Sequence, residues 1–105
     1  MSKIEIERRF EKLDDSFGAD NLRLIELVIR DSKKNGMSIG EIKEKYILYI
    51  PSLDKLNEKA NFELRYLNKN YFDTPYHNWA TGKVYNLKER IDRVKEVLLG
   101  ESANK

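Results

Sequence analysis

Between Tyr76 and Lys95 the chain carries five Lys/Arg against two Asp/Glu, interleaved with His77, Asn78, Thr81, Lys83 and Asn86. Cationic groups of this kind neutralise phosphates, while amide, hydroxyl and imidazole groups can bond to phosphates or base edges. The centre of the segment reads as a β-hairpin. Trp79 precedes a small Ala80-Thr81-Gly82-Lys83 turn, in which Gly82 permits a conformation open to few other residues. KVYNL then alternates, with Tyr85 and Leu87 on one side and Val84 and Asn86 on the other. Trp79 is expected to anchor on the core, as a lone indole usually does. Lys83 at the turn is expected to make contact with a ligand. Lys88 and Arg90 follow at the start of a last helix, with Arg93 and Lys95 beyond. The chemistry expected here is the binding of a polyanion rather than the making of bonds.

Catalysis is not expected. There is one histidine and no cysteine, no glycine-rich phosphate loop, and neither H-E-x-x-H nor G-x-S-x-G. The carboxylates sit among lysines at helical spacing, the pattern of a solvated face. No metal and no cofactor is expected. The net charge is +2, but it is unevenly spread. Residues 1–54 sum to −1, residues 55–95 to +4 and the last ten to −1. The basic second half fits either a polyanion-facing surface or an uneven solvated one, and charge alone does not separate them. No apolar run approaches the ~18 residues that span a bilayer. The stretch MSKIEIERRF alternates charge and hydrophobe, unlike a secretory signal. A cytoplasmic location, away from membranes, is the expectation.

The elements that must position these residues are mostly helical. Ile6, Phe10, Leu13 and Phe17 predict an amphipathic first helix over 5–17, ending near Gly18. Asp20 can cap a central helix in NLRLIELVIRDSKKNG, whose apolar residues cover most of its circumference and suit contact on two sides. Asn35-Gly36 supplies a left-handed stop. Ser38-Ile39-Gly40-Glu41 matches the S-x-x-E capping box, with Met37 and Ile42 as its hydrophobic staple. The helix that follows carries Ile42 and Tyr46 inward. YILYI is either its last turn or a short extended piece, broken by Pro51. Ser52 can cap the next helix, over 53–69, with Leu53, Leu56, Ala60, Leu64 and Leu67 on one stripe. YFDTPYHNW reads as an edge strand or an irregular lead. Leu87, Ile91, Val94 and Leu98 mark a closing helix ended by Gly100.

This order, carried by Asn21 to Leu99, resembles a winged helix-turn-helix domain: mostly α with a small β-hairpin. The expected organisation is a single winged-helix domain over 1–100 with an extra N-terminal helix, and a polar tail at 101–105. The resemblance implies that the helix opening at Ser38 is the positioning helix and that from Leu53 the recognition helix. The hairpin is then the wing, with Tyr85 and Leu87 anchoring it. The residues expected at DNA are Ser52, Lys55, Asn57, Lys59, Asn61, His77, Asn78, Thr81, Gly82, Lys83, Asn86, Lys88 and Arg90. Two features depart from the family. The linker ILYIP is more apolar than a simple turn needs, and Asp54 and Glu58 stand beside Lys55 and Lys59 on the expected reading face. Phe62 and Tyr66 are expected to pack on the first helix or a second subunit.

Winged domains commonly bind as pairs, so a homodimer is expected through Ile6, Phe10, Phe17, Ile91 and Leu98; closure of the monomer core by the same stripes is the equal alternative. The function expected is site-specific binding of double-stranded DNA. It would serve as a transcription regulator, or as a plasmid or phage accessory factor that marks a site for transfer or replication alongside other DNA-processing proteins. Small accessory DNA-binding proteins of conjugative plasmids are similar in outline. The alternative is a winged-helix protein-binding adaptor or a phage-type inhibitor of a host protein.

Overall fold

Residues 3–100 are described by a computed structural model, and all their regular structure is helical. α1 spans Lys3–Asp14, α2 Phe17–Arg30, α3 the single turn Ser32–Asn35, and α4 Ile39–Tyr46. A 3-10 turn, Ile47–Tyr49, leads into α5 at Ile50–Asn70, and α6 runs from His77 to Leu99. The expected β-hairpin is not formed: residues 77–99 are one helix, and the winged helix-turn-helix reading is corrected accordingly. The tail at 101–105 lies outside the described residues.

The hairpin loses to a longer period. Ala80, Val84, Leu87, Ile91, Val94 and Leu98 recur at alternating steps of four and three, and all are buried. They meet the stripe Leu53, Leu56, Ala60, Leu64 and Leu67, buried as expected on α5. Each large aliphatic side chain so covered contributes roughly 1.5–3 kcal/mol. A mid-helix glycine costs only about 1 kcal/mol. Gly82 is therefore tolerated, and Thr81 settles its own polarity by donating to the His77 carbonyl at 2.9 Å. Polar rungs flank the apolar seam and fix its direction as antiparallel. Lys95 Nζ donates to Asp54 Oδ1 at 2.7 Å, Lys88 Nζ donates to Asn61 Oδ1, and His77 Nε2 lies 2.7 Å from Asn68 Oδ1.

Helix boundaries follow local chemistry. Ser16, not Asp20, caps α2, its hydroxyl accepting from the Ala19 N–H at 3.2 Å. Asp20 sits instead in the first turn, where the helix dipole favours a carboxylate. Gly18 does not end α1; it lies inside α2, where a Cβ would stand 2.8 Å from the Ser52 carbonyl oxygen and 3.0 Å from Leu56 Cβ. The glycine lets α2 and α5 meet backbone to backbone. Beside it Asn21 donates to Ser52 Oγ at 2.9 Å, so Ser52 ties two helices together and caps neither. Pro51 starts α5 rather than breaking a chain, since a first-turn proline lacks only an N–H that has no helical partner. The Ser38–Glu41 capping box forms as expected, and Gly100 ends α6. The central helix does not run to Gly36: it closes at Arg30 with Asp31 as its C-cap, and the left-handed Gly36 ends the separate turn α3 instead.

The two glycines should respond in opposite directions to alanine. Open space surrounds a Cβ at Gly82, so Gly82→Ala is expected to raise stability by about 0.5–1 kcal/mol. Gly18→Ala is expected to lower it by roughly 1–3 kcal/mol through overpacking. Urea denaturation followed by circular dichroism measures both, and a destabilised Gly82→Ala would contradict the helical placement.

Candidate functional site

The residues expected at DNA fall into separate groups. Lys83, Asn86 and Arg90 line one groove of about 230 Å³ with Phe10, Leu13, Asp14 and Leu87, while Ser52, Lys55 and Lys59 line another on α5. With His77, Asn78, Thr81, Gly82 and Lys88, the first group belongs to the single helix α6. Thr81 is buried, and Gly82 occupies no turn. His77 holds Asn68 and edges the Phe72 ring at 5.4 Å. Lys83 lies over aromatic faces, 5.0 Å from the Trp79 ring centre and 5.3 Å from that of Phe10. Lys88 is taken by Asn61, half-buried between α5 and α6. Arg90 makes a two-pronged pair with Glu26, at 2.6 and 2.9 Å. Those hydrogen bonds, against the opposing effect of burial, push its guanidinium above its ordinary value. Asn57 is half-buried, and its side-chain oxygen is enclosed without a hydrogen-bond partner among the described residues. Asn78 and Asn86 remain exposed.

The residues expected at a dimer interface divide similarly. Ile6, Ile91 and Leu98 belong to the monomer core, so they are unavailable to a second subunit. Phe10 packs edge-on against Trp79 with ring centres 6.2 Å apart, and Trp79 itself rests on the core. These contacts strap α1 across α6. On its other flank α1 is fastened to α5 by Arg9, which donates to Glu63 at 2.8 and 3.1 Å and lies 3.6 Å from the Tyr66 ring centre. Burial opposes the charge on Arg9, but Glu63 more than offsets it and raises its pKa. Phe17 alone of the five is left open, at 72% exposure.

Phe17 does not stand alone. It and Leu48, 82% exposed, are the most exposed large hydrophobic side chains among the described residues. Both line one groove of about 580 Å³, at the corner where α2 begins and the 3-10 turn passes into α5. Tyr49, Pro51 and Leu56 add apolar floor, and Ser16 and Ser52 add hydroxyls. Lys55 and Lys59, four residues apart on α5, supply the charge of the lining, and no acidic side chain joins them. Neither lysine has an ion-pair partner among the described residues. Lys59 also borders a second groove, of about 330 Å³, with Arg9, Lys12, Leu13, Phe62 and Glu63. Phe62 is thus a groove wall, while Tyr66 packs on α1 through Arg9.

Sequence reasoning missed Leu48 and Pro51 as exposed residues and Tyr49 as part of the same groove. The apolar character of ILYIP pointed to burial rather than exposure, so it gave no signal for them. Among the described residues no cluster of His, Cys, Asp or Glu is placed to hold a metal ion, and no helix is long and apolar enough to cross a membrane. The chain matches no protein-family model, and no curated protein or solved structure matches it at a significant level.

One buried group gives α1 a pH signature. Tyr71 is fully buried, and burial first, then the neighbouring Glu5 carboxylate, push its phenol above the ordinary tyrosine value. A raised folded-state pKa means that its stabilising contribution is complete below about pH 10 and declines as pH rises from there through the folded value. Tyr71→Phe is therefore expected to lose less stability than the parent protein across that alkaline window, measured by urea denaturation at stepped pH.

Proposed function

We propose that the protein is a non-catalytic docking module, whose corner groove takes an apolar protein segment flanked by acidic side chains. One observation carries this reading. The two most open hydrophobic side chains share a groove whose charged lining is lysine alone. An exposed apolar patch rimmed by polar groups is the usual mark of a protein contact. Apolar contact supplies affinity there, while unpaired lysines favour acids and reject basic partners. The reading belongs to the adaptor or inhibitor class, now without a wing.

Site-specific DNA binding has weaker support. Phosphate contact needs cations free to face the duplex. Lys83 lies on aromatic rings, Lys88 on Asn61, Arg90 on Glu26 and Lys95 on Asp54, so of the five cations at 76–95 Arg93 alone is without such a contact among the described residues. Lys55 and Lys59 are free, but they border an apolar groove rather than a broad basic face.

Selection from a displayed library of amphipathic peptides would test the proposal, with a randomised duplex library offered in parallel. Apolar peptides bearing Asp or Glu should be enriched. Their binding should fall about tenfold or more with Lys55→Glu plus Lys59→Glu, equivalent to roughly 1.4 kcal/mol, and with Leu48→Asp. Retention of duplex that collapses steeply with added salt, without peptide enrichment, would overturn the docking reading in favour of DNA.

A further inference from the structure

We infer that the occupant of this groove is a second copy of the chain, related to the first by a two-fold axis near Leu48. The inference rests on the docking reading and names its partner.

The chain carries what the groove asks for. α4 and α5 leave the 3-10 turn in sequence, so Leu48 stands at the apex of a corner with one helix on either side. On the α5 side lie Phe17, Lys55 and Lys59. On the α4 side a further groove, of about 600 Å³, is lined by Met37, Glu41, Glu44, Lys45 and Leu48. Leu48 belongs to both grooves. One exposed leucine thus separates a basic arm from a predominantly acidic one, and each arm has its own apolar side chain, Phe17 or Met37.

Such a surface is complementary to itself. An isologous contact places the same patch on both partners, so that whatever residue i meets on j, j meets on i. Rotation about an axis through the corner lays the α4 arm of one copy on the α5 arm of the other. Leu48 of each copy then enters the groove beside Phe17 of its mate. The acids are positioned for this. Glu41 is partly committed, since its carboxylate accepts from the Ser38 N–H in the capping box at 3.2 Å. Glu44 has no hydrogen bond or ion pair among the described residues. It lies four residues before Leu48, one helical turn away, as Lys55 and Lys59 lie one turn apart on the facing arm. Lys45 is the one cation of the acidic arm, and its ammonium is drawn 5.6 Å from the centre of the Tyr46 ring.

Charge exchange tests the geometry with the full chain. Sedimentation velocity from micromolar to millimolar concentration should show a reversible monomer–dimer equilibrium for the parent protein. Lys59→Glu and Glu44→Lys should each weaken association at least tenfold, because each creates like-charge pairs across the axis. An equimolar mixture of the two variants should associate. At one end of that mixed dimer the carboxylate introduced at position 59 faces the ammonium introduced at position 44. At the other end the original Glu44 and Lys59 still face each other. Leu48→Asp should remain monomeric in every mixture, with circular dichroism confirming that it is folded.

A parent protein monomeric at every concentration, or variants that fail to rescue each other, would overturn the inference. If monomers still bind acidic peptides through Lys55 and Lys59, the docking reading survives and only the second copy is removed as its occupant. If neither association nor peptide binding is found, both fall together.

Discussion

The antiparallel seam between α5 and α6 is the constraint on which the molecule depends. Its apolar residues follow the steps of three and four that keep two helices facing one another, and its polar rungs hold them in register. Asp54, Asn61 and Asn68 are spaced by seven along α5, and each finds a partner on α6. A slip by one turn would break all three and misplace the leucines between them. α1 and α2 are laid on this pair. α2 is locked by the close approach at Gly18 and the Asn21–Ser52 bond, and α1 by Arg9 on one flank and the Phe10–Trp79 contact on the other.

The same seam draws on the cationic segment at 76–95. A count of charges treats each lysine and arginine as available. In the folded chain Lys88, Arg90 and Lys95 hold α6 against α5 and α2, and Lys83 covers the rings that seat α1, which leaves Arg93 as the one of the five that is exposed with no ion pair among the described residues. The work of the others is architectural. The cations that line the corner groove are Lys55 and Lys59, which in sequence look compromised by Asp54 and Glu58. On the helix those acids turn away from the groove lining: Asp54 faces Lys95, and Glu58 lies outside the groove.

What is legible in the sequence is local or strongly periodic. The capping box at Ser38, the left-handed conformation of Gly36 and the α5 stripe are each readable because a short pattern determines them. The hairpin reading of 78–87 fails because it weighs four alternating residues and a small turn-like tetrapeptide above a stripe running from Ala80 to Leu98. Alternation over Val84 to Leu87 is compatible with either period, so only the longer window separates strand from helix. Gly18 and Ser52 mislead for another reason. A glycine near a helix end and a serine before an apolar run have local meanings, and here a tertiary contact between them overrides both. The corner groove is barely legible, because exposure of Leu48 depends on how α2, the 3-10 turn and α5 meet.

The seat of Trp79 has a practical consequence. It is the sole tryptophan of the chain, and its ring is bracketed by the edge of Phe10 and the ammonium groups of Lys3 and Lys83. Two of those three neighbours belong to α1, and Trp79 does not line the corner groove. Intrinsic fluorescence in this protein is therefore a local spectroscopic gauge of whether the N-terminal helix is seated. Events at the corner can be followed by hydrodynamics while the indole watches the α1 fastening, so each can be timed without a label.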